Sequence, residues 1–191
     1  MKVFFTADCH FDHANIIKYC NRPFKNIAHM NYEIVRRWNN VVSPEDLVYH
    51  VGDFAFKGQL NGRIFEKRLN GIIVHIRGNH DKNNGIKTYI DEAIMSFGGK
   101  TVFVQHKPPI DKNEIPVCDF VVCGHVHEKW KAKFVKDCNI PIINVGVDVW
   151  NFEPVSTLSL LKYYSQLINK EALKKLIKSK KGKILMGDEI K

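Results

Sequence analysis

The sequence predicts an α/β domain whose second half is rich in strands. Short apolar, β-branched runs alternate with amphipathic stretches over the first half of the chain, and further short runs then follow one another. Five histidine- or carboxylate-bearing motifs sit at or just past the ends of those runs, the edge at which open α/β sheets place ligands.

The elements read in order. Val3–Ala7 is a buried strand. Met30, Ile34, Val35, Trp38, Val41 and Val42 recur at helical spacing. Leu47–Val51 is the next strand, Arg63–Leu69 a helix, and Ile72–Ile76 a third strand ending in Arg77-Gly78. Ile86–Ile94 reads as helical. Thr101–Gln105, Phe120–Cys123, Ile142–Val145 and Val155–Leu161 read as further strands. Leu167, Ile168, Ala172, Leu173, Leu176 and Ile177 form one stripe of a C-terminal helix, with Lys170, Lys174, Lys175 and Lys178 around it. After Lys178 a frayed tail is expected.

At 191 residues and 22.1 kDa the chain is one domain, or one domain with a small appendage. Hydrophobic residues at 45% and charged residues at 26% are the balance of an ordinary globular protein. No apolar run approaches the ~18–20 residues of a membrane span. The opening Met1–Phe5 turns polar by Thr6, too soon for a signal peptide. Five scattered cysteines with no C-x-x-C exclude a disulfide framework and a cysteine zinc knuckle. A cytoplasmic protein without membrane contact is expected. The net charge of +9 favours anionic partners, and from Gln166 onward eight lysines face three acidic residues. Lysines outnumber arginines 23 to 6, and lysine is the poorer fork for phosphates and base edges. Nucleic acid is therefore a less favoured partner than a small phosphorylated substrate. Oligomeric state is left open.

The motifs are Asp8-Cys9-His10, Gly52-Asp53, Gly78-Asn79-His80-Asp81, Gln105-His106 and Gly124-His125-Val126-His127. Together they gather carboxylates, an amide and five imidazoles. An isolated histidine after a strand is ordinarily a surface or core residue; five converging on strand ends are a different matter. Carboxylate, imidazole and amide oxygen without thiolate suit manganese, iron, zinc, cobalt or nickel. Seven ligands are too many for one tetrahedral site and fit two ions if a carboxylate bridges. Such a pair lowers the pKa of a bound water and clamps the oxygens of an in-line displacement.

The ordered set D-x-H, G-D, G-N-H-D, H, G-H-x-H resembles the calcineurin-like metallophosphoesterase family. Thr6–Ile17 and Asn144–Val155 resemble segments of its small bacterial and phage members. The resemblance spans about residues 3–161, which divides the chain into a metallophosphoesterase domain, 1–162, and a basic C-terminal helix and tail, 163–191. It implies a four-layer α/β/β/α sandwich of two mixed sheets. It also implies two divalent ions, manganese or iron first, with zinc, nickel or cobalt as alternatives. Asp8, His10 and His127 would hold one ion, Asn79, His106 and His125 the other, and Asp53 would bridge them. A metal-bridging hydroxide would attack phosphorus while His80 stabilises charge or protonates the leaving oxygen. Asp81 would orient His80, or would serve as a turn aspartate. The implied activity is hydrolysis of a phosphodiester, or phosphomonoester, of a small nucleotide-like or phosphorylated metabolite. A metal-dependent nuclease, or a non-catalytic scaffold of the same fold, is the alternative; the intact ligand set argues against the scaffold. His13, Asn15 and Arg22 are candidate contacts to substrate phosphate, with helix-terminal and solvated-loop roles as the alternatives. His50 and His75 read as core or sheet-face residues, and Cys9, Trp38, Phe54 and Trp130 as packing.

Overall fold

A computed structural model describes residues 1–58, 61–88, 90–135 and 138–187. Its elements are β1 (Val3–Thr6), α1 (Ala14–Tyr19), α2 (Ile27–Val41), β2 (Leu47–Val51), α3 (Asn61–Glu66), β3 (Ile72–Ile76), β4 (Glu92–Phe97), β5 (Lys100–Gln105), β6 (Phe120–Cys123), β7 (Ala132–Phe134), β8 (Pro141–Asn144), β9 (Val155–Ser156) and α4 (Thr157–Gly187). They build two mixed sheets, ordered β3-β2-β1-β9 and β4-β5-β6-β8-β7. The first has β1, β2 and β3 parallel with β9 antiparallel at its edge. The second has β5, β6 and β8 parallel, flanked by antiparallel β4 and β7. Two mixed sheets are what the sequence leads one to expect.

The two-residue period of the strands sorts the core. Phe5, Val51 and Ile76 of the first sheet meet Val102, Val104, Phe120, Val122 and Ile143 of the second between the layers. Their neighbours Phe4, Val48 and Ile73 face the opposite way, onto Met30, Ile34, Val35 and Trp38 of α2. Asn26 caps α2, its Oδ1 accepting from His29 N at 2.9 Å, and the Trp38 indole donates to Asn70 O at 2.9 Å. On the outer face of the second sheet Phe103, Val121, Cys123 and Ile142 are covered by Ile115, Cys118, Val135 and Trp130 from connecting segments.

Four expectations change. Ile86–Ile94 is not a helix: its last residues enter β4, where Ala93, Met95 and Phe97 turn inward and Ile94 is 60% exposed. The exposed isoleucine hides the alternation that would have marked a strand. Val155–Leu161 is a strand only to Ser156, whose hydroxyl accepts from Ser159 N at 3.2 Å and starts α4 at the next residue. Leu160, Leu161, Tyr163, Tyr164 and Leu167 of α4 pack on the inter-sheet core, whereas Leu173 is 57% exposed, so among the described side chains the expected stripe docks at its start. The helical backbone runs to Gly187, into the segment expected as a frayed tail; the side chains of Lys175, Leu176, Ile177 and Lys178 lie outside the described ones. No helix among the described residues is long and apolar enough to cross a membrane.

Candidate metal centre

All five motifs leave the C-terminal ends of parallel strands: Asp8 and His10 follow β1, Asp53 follows β2, Asn79 to Asp81 follow β3, His106 follows β5, and His125 and His127 follow β6. Backbone hydrogen bonds continue past the strands, from Asp8 N to Gly52 O, His10 N to Asp53 O and Gly124 N to His106 O, each 3.0 Å. The loops are thereby stitched into one floor.

Two ligand groups form on that floor. One is Asp8, His10 and His127; the other is Asp53, His106 and His125; within each, the candidate atoms lie within 4.8 Å of one another. Each group draws from both sheets. Asn79 joins the second, its Oδ1 3.1 Å from His106 Nε2. Asp53 Oδ2 lies between the groups, 3.5 Å from His10 Nε2 and 3.3 Å from His106 Nε2. All seven expected ligands are thus brought together.

The backbone bends to do this. Asp8, His10, Asp53, His125 and His127 all have left-handed φ, between 50° and 71°. Such values are uncommon for residues other than glycine and persist where the surrounding fold imposes them. Gly52 also has positive φ, and a Cβ there would collide with the His106 ring. At Gly124 a Cβ would fall 2.6 Å from Ala7 Cβ and 2.9 Å from Asp8 Oδ2.

The donor chemistry fits a cation. His106 Nδ1 must donate to the Val51 carbonyl, 2.9 Å away, which leaves Nε2 as the coordinating atom. His10 Nε2 is buried with no hydrogen-bond partner. Asp8 is fully buried; that burial, against the pull of His106 and His127, pushes its carboxyl up to about 6. Burial acts the same way on Asp53 but is outweighed by His106 and His10, which hold it well below the usual carboxylate range. His106 is raised to about 9, its burial overcome by Asp53 and Asp8. Burial lowers His10 and His125, favouring the neutral, coordinating imidazole. Buried carboxylates among such imidazoles are what a divalent ion would neutralise.

Arg22 is neither a phosphate contact nor a solvated loop residue. Its side chain is wholly buried, and its fork grips Asp148 at 2.8 and 2.9 Å. It also donates to the carbonyls of Asp8, 2.7 Å, and Cys9, 3.0 Å. Asp148 Oδ2 in turn lies 3.4 Å from His127 Nδ1. Arg22 therefore braces the loop that carries Asp8 and, through Asp148, aims the candidate ligand His127. Asp81 is likewise corrected. Its carboxylate accepts from the backbone N–H of Asp53, Phe54 and Gly78 and from Asn84 Nδ2, at 2.7–2.9 Å. Those bonds turn it away from orienting His80 and make it the tie between the β2 and β3 loops. His80 stands exposed at the rim, its ring 5.4 Å from that of His10. His13 lies beside it, Nδ1 3.4 Å from His10 Nδ1. Asn15 is exposed in the first turn of α1.

Asp148 and Asn144 are supporting residues that sequence reasoning missed. Asn144 Nδ2 donates to the carbonyls of His127, 2.8 Å, and Trp130, 2.9 Å, and its Oδ1 accepts from Gly146 N. Their signal was the family-like segment Asn144–Val155, which marks both residues without saying what they touch.

Residues 1–162 match the model of the calcineurin-like phosphoesterase superfamily domain. An uncharacterised protein of Methanocaldococcus jannaschii is 37% identical over 164 residues, which cover 84% of this chain and 90% of that protein. A crystal structure of a protein of unknown function from Aquifex aeolicus superposes with a TM-score of 0.69 at 28% identity, covering 85% of this chain and 98% of the other. With its two ligand groups seated on the loops of two mixed sheets, and with the family's domain matched over most of its length, the chain belongs to the calcineurin-like phosphoesterase superfamily.

Proposed function

We propose that this protein is a binuclear-metal-dependent phosphoesterase acting on a phosphodiester of a small phosphorylated metabolite. The observation that most supports it is Asp53 Oδ2, poised between the unpartnered Nε2 of buried His10 on one side and His106 on the other. Asp8, His10 and His127 would hold one ion and Asn79, His106 and His125 the second, with Asp53 shared. Bound divalent ions would supply Lewis-acid polarisation of a phosphoryl oxygen and lower the pKa of a bound water. The chain's own part is placement. Arg22 and Asp148 set the angle of His127, Val51 sets the tautomer of His106, and Asp81 holds the Asp53 and Gly78 backbones at one spacing. His80, at the rim, delivers a proton to the leaving oxygen. The test is elemental analysis and anomalous scattering on metal-saturated protein, with turnover of an aryl phosphodiester. Two ions and turnover are expected; a single ion would overturn the binuclear assignment.

His80→Ala should separate leaving groups. A phenoxide departs with little protonation, whereas an alkoxide needs a proton in the transition state. General acids contribute about 10²–10⁴-fold to such steps. Turnover of alkyl diesters should fall by about that factor and that of activated aryl diesters far less, at unchanged metal content. A loss independent of leaving-group pKa would leave His80 as an electrostatic residue. A second expectation concerns α4. Its packing on the sandwich is made by Leu160 to Leu167, so a stop codon after Lys178 should leave metal content and aryl diester turnover at the full-length level.

A further inference from the structure

Four strands stand at the sheet edges, and three of them are guarded. β9 has two residues. β7 has three, with Lys133 exposed at its centre. β3 is met at its end by Ile90, which bridges Ile76 and whose carbonyl accepts from Arg77 N at 2.8 Å. Short strands, an edge lysine and a covering segment are devices that keep sheets from pairing with other chains. β4 has none of them. It runs for six residues without lysine or proline, and among the described strands it pairs only with β5. Its exposed residues are Glu92, Ile94 and Ser96. The hairpin to β5 fixes which backbone groups are free. Gly98 and Gly99, at φ 57° and 70°, make a two-residue turn, so Phe97 and Lys100 close it as a hydrogen-bonded pair. Bonded pairs alternate along an antiparallel ladder, which commits the backbones of Phe97, Met95 and Ala93 to β5. The N–H and C=O of Glu92, Ile94 and Ser96 therefore point out of the open edge.

We infer that this edge takes the β4 of a second copy of the chain, antiparallel about a two-fold axis at Ile94. That register sets Ile94 opposite Ile94, and Glu92 of each copy opposite Ser96 of the other. It gives the free N–H and C=O of all three residues a partner. Any shift along the edge leaves at least one of the three without a partner from β4. The side chains agree. Ile94 lies beside Phe103 of β5, so the central row across the four strands would be Phe103, Ile94, Ile94 and Phe103. The row on either side would be Thr101, Ser96, Glu92 and Gln105, with a hydroxyl facing each carboxylate and no like charges opposed. Apolar pairs directly opposite each other stabilise a sheet, and like charges so placed destabilise it. β4 thus complements itself in backbone, shape and charge, which favours a second copy over a foreign strand. Pairing would join the two five-stranded sheets edge to edge and cover the isoleucine that faces water.

The experiment is analytical ultracentrifugation of the full chain over a range of concentrations. A contact one strand long belongs with the small, transient interfaces, with a dissociation constant of about 1–100 μM. The weight-average mass should climb from 22.1 kDa toward twice that value as the concentration rises through this range. Ile94→Lys and Ile94→Glu should each stay monomeric, because each opposes like charges at the axis. An equimolar mixture of the two should dimerise again, since lysine then faces glutamate. Ile94 is 60% exposed, so neither substitution threatens the fold. Hydrogen exchange on the wild type needs no variant. Raising the concentration should slow exchange at the Ile94 and Ser96 amides and leave Met95, already bonded to β5, unchanged. A monomer up to about 1 mM would overturn the dimer. A dimer that persists in both variants, or that leaves the Ile94 and Ser96 amides unprotected, would place the contact elsewhere and overturn this edge. A mixture that stays monomeric would overturn the axis at Ile94.

Discussion

Asp53→Ala should empty both ligand groups and bring turnover to background. Among the described residues its carboxylate is the one side chain within 3.5 Å of imidazoles from both groups, so its loss would remove negative charge from between two bound cations. Asp53 Oδ1 also accepts from His80 N at 2.8 Å, so alanine loosens the β3 loop as well. Asp53→Asn separates these effects, because an amide oxygen still accepts that bond but carries no charge. Metal content by elemental analysis should fall in both variants, with thermal stability falling further in the alanine. Full metal occupancy and turnover in Asp53→Ala would mean that the ligands are wrongly assigned.

Arg22→Ala carries the largest expected cost in stability. The pair it forms with Asp148 has side-chain exposures of 0% and 2%. Removing one member strands a buried carboxylate, which costs about 3–5 kcal/mol. It also frees the Asp8 and Cys9 carbonyls and leaves Asp148 without its anchor, so His127 loses its aim. Residues in such an outer position typically change metal affinity about 10–100-fold. Urea unfolding and manganese titration should both register the change. Asp148→Asn should weaken metal binding with a smaller loss of stability. The double variant Arg22→Met with Asp148→Leu should recover stability but not affinity, since an apolar pair replaces the ions without restoring the contact to His127. Wild-type metal affinity in Arg22→Ala would show that the brace is only structural.

The ligands were legible because each follows a short β-branched run that ends abruptly at a polar residue, in three of the five beside a glycine, and such ends allow few readings. Leu47–Val51, Ile72–Ile76 and Phe120–Cys123 have the expected bounds for the same reason. What escaped was pairing at long range. Arg22 and Asp148 stand 126 residues apart, and no local pattern announces that a loop arginine will be buried against a residue so distant. Asp81 misled by adjacency: next to His80 in sequence, it points back across the floor to the β2 loop. The start of α4 was hidden by its β-branched Thr157 directly after the strand, and β4 by an isoleucine facing water.

Each candidate ligand group takes residues from both sheets, and between the groups Asp8 accepts from the backbone N–H of His125, 117 residues away in the chain. An ion in either group would therefore act as a clasp across the sandwich, closed only after the layers have docked. Contacts of such long sequence separation are slow to form and arrive late in folding. Interactions made after the folding barrier leave the refolding rate almost untouched and appear in the unfolding rate. The metals would thus govern how long the folded protein lasts more than how quickly it is reached. Lifetime under a chelator, more than an equilibrium midpoint, is the quantity through which this protein would feel metal scarcity.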